Sequence, residues 1–104
     1  MRRAEIWWAQ MPPPAGRRPV VLVSRESSYA VRGSVTVVEV STRVRGIPSE
    51  VPLGQGEGLP RRCAANADDV VTIPKTWLVE RVAALGHDKT SALDAALRFS
   101  LGLA

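Results

Sequence analysis

A chain of 104 residues is long enough to close one hydrophobic core and too short for two folded units. Its 45% hydrophobic and 23% charged content excludes wholesale disorder, and no apolar run approaches the roughly 20 residues a membrane span requires. Fourteen basic against ten acidic side chains give +4, which leaves a phosphate-bearing partner open.

The charge is uneven. Residues 1–65 hold ten Arg and five Glu, a balance of +5, whereas residues 66–104 hold four basic and five acidic side chains, or −1. Guanidinium presents a planar fork of donors to phosphate oxygens, so an arginine-rich front part suits a nucleic acid. A genome that favours Arg over Lys yields the same composition, and charge by itself does not separate the two. Met1-Arg2-Arg3 begins like a signal peptide, but Glu5, Gln10 and Pro12-Pro13-Pro14 break the apolar stretch such an address needs. The expectation is a cytoplasmic protein. Cys63 is the only cysteine, so no internal disulfide can form, which suits a reducing compartment. With no CxxC and no paired histidine it reads as a buried bystander.

In chain order, Glu5-Ile6-Trp7-Trp8 begins a short strand that the Pro12–Gly16 stretch ends. Arg18 to Val23 is a compact β-branched run with Pro19 at its entry, and its continuous apolar character predicts a strand covered on both faces. Arg25 to Gly33 is polar and reads as a loop, followed by a strand over Val35–Ser41. Ser49 to Leu53 reads as an edge strand, because Pro52 cannot donate to a ladder. Three glycines between Gly54 and Gly58 mark a loop, and a strand from about Cys63 to Ile73 is expected to bend near Asp68-Asp69. Lys75 to Gly86 is open between helix and strand. Ser91 with Asp94 forms an S-x-x-D capping box, and Asp88 is a second N-cap candidate. Leu93, Ala96, Leu97 and Leu101 then recur at helical spacing up to Gly102. The architecture is therefore α+β and mainly β: one domain over residues 1–104, a small curved antiparallel sheet or barrel with a C-terminal helix.

Several phrases in register resemble the MazF/PemK family of toxin endoribonucleases. Arg3-Ala4-Glu5-Ile6-Trp7-Trp8 is similar to that family's R-G-E-I-W opening, with Ala4 in place of Gly. Arg18-Pro19-Val20-Val21-Leu22-Val23-Ser24 resembles its R-P-V strand, and Val40 to Gly46 followed by Ile47 to Leu53 resembles its central block. Gly58-Leu59-Pro60, Asn66-Ala67-Asp68 and the closing Ser100-Leu101-Gly102-Leu103 complete the match. The sequence departs from the family at Cys63-Ala64-Ala65, Ala67 and Val71. The resemblance implies an SH3-like antiparallel β-barrel, a homodimer, single-stranded RNA as substrate and a cognate acidic antitoxin. No zinc spacing, phosphate-binding glycine loop or dinucleotide fingerprint is present, so neither metal nor cofactor is expected.

Metal-free RNA cleavage uses the substrate's 2′-hydroxyl as nucleophile; the protein must help remove its proton and balance charge on the phosphoryl oxygens. A histidine pair is the familiar solution, but His87 is the sole histidine. The resemblance instead implies a catalytic arginine at Arg18 and a catalytic hydroxyl at Ser41. Arg17 and Thr42 stand one residue away as alternatives for those roles and as RNA contacts. Arg43 and Arg45 share one side if the strand runs on, which would suit phosphate tracking. Asp68 and Asp69 align with positions that contact bases or do acid–base work; as a turn pair they would satisfy backbone amides. Trp7, Trp8 and Trp77 fit core or dimer packing better than base stacking. Two other functions fit the same fold: a toxin that binds a protein target such as DNA gyrase, and an inactive family member.

Overall fold

The computed structural model describes residues 1–104. Six strands, β1 (Glu5–Gln10), β2 (Arg17–Leu22), β3 (Ser34–Ser41), β4 (Glu50–Leu53), β5 (Cys63–Pro74) and β6 (Leu78–Ala84), precede one helix, α1 (His87–Leu101). They form a single antiparallel sheet in the order β4-β5-β3-β2-β1-β6, curled into a partial barrel. The expected α+β class, mainly β with a C-terminal helix, is the observed one. No helix is long and apolar enough to cross a membrane.

Period-two alternation over a curled sheet produces two cores, one on each face. Ile6, Val21, Val38, Val40, Ala65 and Ala67 face α1, which contributes Leu93 and Ala96. Ala9, Val20, Leu22, Val35, Val37 and Ile73 face the other way, under Met11 and Tyr29 from the loops. Val20, Val21 and Leu22 are all fully buried because β2 is central and covered on both sides. Burying each such side chain contributes on the order of 1.5–3 kcal/mol.

The edge position expected of the Pro52 strand is met: β4 ends the sheet, pairing only with β5. The bend expected near Asp68-Asp69 is also present. Glu39 pairs with Asn66 but Val38 pairs with Val70, so Ala67, Asp68 and Asp69 bulge out of the ladder. The segment left open between helix and strand resolves as a short 3-10 turn over Lys75–Trp77 and then β6, which pairs with β1.

The helix start is a correction. Neither the Ser91/Asp94 capping box nor an Asp88 N-cap forms: α1 begins at His87 with Gly86 as its N-cap and no side-chain cap. Asp88 lies in the first turn, where the exposed N–H groups favour a carboxylate. Asp94 is drawn instead to Arg3, 2.9 Å away, which ties the helix to the N-terminal segment. The stop at Gly102 holds, with φ 68° and its N–H directed to the Arg98 and Phe99 carbonyls. Leu93 and Ala96 are buried, but Leu101 from the same stripe is exposed, as are Phe99 and Leu103.

Candidate RNA-processing site

The two strands that carry the sequence candidates run side by side. Val20 pairs with Glu39 and Val21 with Val38; the ladder ends there, with Arg18 two residues beyond it on β2 and Ser41 two residues beyond it on β3. Alternation places Arg18, Val20, Glu39 and Ser41 on one face, away from α1. There the Arg18 Nη1 lies 3.9 Å from the Glu39 carboxylate, both side chains half-exposed. At that separation the pair is an ion pair without a direct hydrogen bond, so the guanidinium keeps donors free.

Ser41 is the last residue of β3, and its Oγ accepts from the Arg43 N–H at 3.1 Å. This local bond turns the chain out of the sheet and leaves the hydroxyl proton free to donate. The strand therefore does not continue, so the period-two argument for Arg43 and Arg45 fails. Both lie in the loop after β3 with exposed side chains. The loop is held through its backbone: the Arg45 and Gly46 N–H groups donate to the Glu50 carboxylate at 2.9 and 2.8 Å.

The same strand ends border a cavity of about 260 Å³ lined by Trp8, Pro19, Val40, Ser41, Thr42, Leu59, Pro60, Arg61 and Cys63. Trp8 and Pro19 are cross-strand partners, which sets the ring beside the entry of β2. Arg17 lies over the Trp8 ring at 5.0 Å and bonds Glu80 at 2.9 Å, so its planar head is already stacked. Gly58 leads the chain into this wall with φ +85°, and a Cβ there would meet Val82 at 3.1 Å. Cys63 is buried in the wall; burial first and Glu57 second push its thiol up, so it is not a ready thiolate.

Asp68 and Asp69 stand apart from Arg18, in the bulge beyond Glu39 and Asn66. Asp68 turns toward α1 and accepts from the Ser100 hydroxyl at 2.8 Å, a bond that holds its carboxyl below the usual range. Asp69 is exposed. The Asp68 N–H donates to Asn66 Oδ1 at 2.9 Å. His87 is almost fully exposed at the helix start, near Asp88 and remote from Arg18. No three His, Cys, Asp or Glu side chains come together as a metal-binding group would require.

Trp7 and Trp77 pack against the loop-covered core, as expected of core residues, whereas Trp8 borders the cavity. Three residues not singled out from sequence belong to the site: Glu39 beside Arg18, Asn66 across from Glu39, and Arg61 in the cavity wall. The period-two relation of Glu39 to Ser41 was the available signal for the first; Arg61 lies in a loop without one.

With this geometry in view, the chain matches the family described as PemK-like, MazF-like toxin of type II toxin-antitoxin system over residues 2–101. It is 36% identical over 100 residues to the probable endoribonuclease MazF5 of Mycobacterium tuberculosis, covering 95% of this chain and 91% of that protein. The solved Mycobacterium tuberculosis toxin MazF-mt6 superposes with a TM-score of 0.88 at 30% identity, over 96% of this chain and 98% of that one. A mycobacterial endoribonuclease solved with its cognate antitoxin shares the fold at a TM-score of 0.88 and 24% identity, over 100% and 97% of the two chains.

Proposed function

Because the chain belongs to the PemK-like, MazF-like toxins of type II toxin–antitoxin systems, we propose that it is a sequence-specific, metal-independent endoribonuclease of single-stranded RNA. The observation that carries this reading is the placement of Arg18 and Ser41 at the adjoining ends of β2 and β3, with Arg18 beside Glu39 and Ser41 lining a cavity edged by Trp8 and Arg61. Arg18 clamps the scissile phosphate and stabilises charge as the 2′-oxygen attacks, leaving a 2′,3′-cyclic phosphate and a 5′-hydroxyl. Ser41 donates its hydroxyl proton to a phosphoryl oxygen. A base next to the cleaved bond enters the cavity against Trp8, while Arg17, Thr42, Arg43 and Arg45 hold the flanking strand. Asp68 and Asp69 lie further along the groove, where a carboxylate accepts from base amino groups.

The protein acts in the cytoplasm, where its RNA is. Leu97, Leu101 and Leu103 line one surface at the end of α1, the last two exposed, and a second copy covers this apolar area in a homodimer. An acidic antitoxin that folds on binding is the fitting inhibitor for the +5 front part. The test is cleavage of a long synthetic RNA in EDTA by the wild type, Arg18→Ala and Ser41→Ala. Cuts at a recurring short motif, with a cyclic phosphate and 5′-hydroxyl and lost in both variants, are expected. An intact RNA after incubation with folded wild-type protein overturns the reading.

A further inference from the structure

We infer that Glu39 is the general base of the cleavage step, taking the proton from the attacking 2′-hydroxyl. This rests on the endoribonuclease reading above, and it supplies a group that reading lacks. Arg18 cannot serve, since a guanidinium stays protonated. His87 is remote at the helix start, and the Asp68 carboxylate is turned to Ser100 on α1. Glu80 is engaged by Arg17 on the opposite face. Glu39 is the carboxylate that meets Arg18, at 3.9 Å, and it lies two residues before Ser41 on the same strand and face.

Its surroundings suit a base. Arg18 faces it from β2 and Asn66 from β5, with Glu50 of β4 beyond Asn66 and already occupied by the Arg45 and Gly46 N–H groups. The bulge carrying Asp68 and Asp69 borders it on β5. The half-exposed carboxylate is reachable by substrate, and the long contact to Arg18 lets the guanidinium swing onto a phosphate without stranding either charge. In the step, the 2′-oxygen bonds to phosphorus, its proton passes to Glu39, and the bond from phosphorus to the 5′-oxygen breaks. The departing oxygen takes a proton from water, and Glu39 returns its own to solvent.

The test compares wild type with Glu39→Gln and Glu39→Asp in single-turnover cleavage across pH, with binding read separately on a 2′-O-methyl copy of the same RNA. For a base that must be ionised, the wild-type rate rises with pH and then levels. Glu39→Gln is expected to lose on the order of 10²–10⁴ in rate, with unchanged affinity for the methylated RNA. Its rate should climb by about tenfold per pH unit without levelling, as hydroxide replaces the side chain. Glu39→Asp should recover part of the rate and the levelling. A Gln variant with the wild-type rate, or one whose loss lies wholly in affinity, overturns the assignment while leaving the endoribonuclease reading intact. A wild type that cuts no RNA sinks both. Melting of each variant, read by circular dichroism, separates loss of chemistry from loss of fold.

Discussion

The carboxylate of Glu5 and the guanidinium of Arg81 meet at 2.9 Å across 76 residues of chain, closing the N-terminal strand onto the last one. Glu5 also accepts from the Trp7 indole at 3.0 Å and the Arg2 N–H at 2.9 Å. Burial alone would raise its pKa, but the Trp7, Arg81 and Arg2 bonds outweigh it and bring it down from 4.5 to about 2. A depressed acid stabilises the fold above its unfolded pKa and loses that contribution as pH falls toward the folded value. Glu5 should therefore contribute roughly 3 kcal/mol at neutral pH, fading between about pH 5 and pH 2. Urea titrations of wild type and Glu5→Gln at pH 7 and pH 2.5 check this. The gap between the two proteins should be wide at pH 7 and narrow in acid.

Ala4 is the one non-glycine residue with a positive φ, at 70°. Its N–H bonds the Leu22 carbonyl and its carbonyl accepts from Leu85, so the chain cannot relax there. A left-handed alanine costs about 1–2 kcal/mol. Glycine would relieve that strain but lose a buried methyl and stiffen the unfolded chain less. Ala4→Gly should stay within about 1 kcal/mol of wild type, whereas Ala4→Val, β-branched in a buried left-handed turn, should lose more than about 2 kcal/mol. Thermal melts of the two variants distinguish these outcomes.

Leu93 is fully buried where α1 meets the sheet. Leu93→Ala should cost about 2–5 kcal/mol, because the rigid strands beneath it cannot collapse into the space. Leu101→Ala, at an exposed position on the same helix, should change the unfolding of the isolated chain by less than about 0.5 kcal/mol. Any larger effect at Leu101 that grows with protein concentration would report self-association instead.

Arg17 stacks on Trp8 rather than facing Glu39, so its role should differ from that of Arg18. Arg17→Gln should weaken RNA binding uniformly across sequences and reduce the slope of log K against log salt by about 0.7, as loss of one phosphate contact on a single strand predicts. Trp8→Ala should cost about 1–3 kcal/mol of affinity and relax the preference for the base beside the cut. Fluorescence anisotropy of labelled RNA at several salt concentrations reads both.

Strand positions were legible because alternation, Pro19 and Pro52 act locally: each limits what its own few residues can do. Gly102 stops the helix for the same reason. The helix start was not legible, since α1 begins at His87, four residues before Ser91, with Gly86 as an N-cap that carries no side-chain signal. The strand over Leu78–Ala84 is chosen by pairing with β1, information absent from its own ambiguous periodicity. At the candidate site, Arg18 and Ser41 were found by resemblance, but Glu39 becomes visible only once an antiparallel register brings it beside Arg18. The expected Arg43/Arg45 face failed because β3 ends at Ser41, two residues before Arg43, where the serine hydroxyl accepts from the Arg43 N–H and turns the chain away.

The three-residue interruption of β5 has an evolutionary consequence. A deletion within a regular strand shifts every later side chain to the other face and empties the core. At Asp68 and Asp69 the two paired stretches of β5 are registered independently, by Ala64–Asn66 on one side and Val70–Pro74 on the other. Changes of length can therefore be absorbed there while both ladders survive. Descendants of this chain can reshape the rim of the groove by insertion or loss, and so drift toward new RNA targets, without first having to rebuild the barrel.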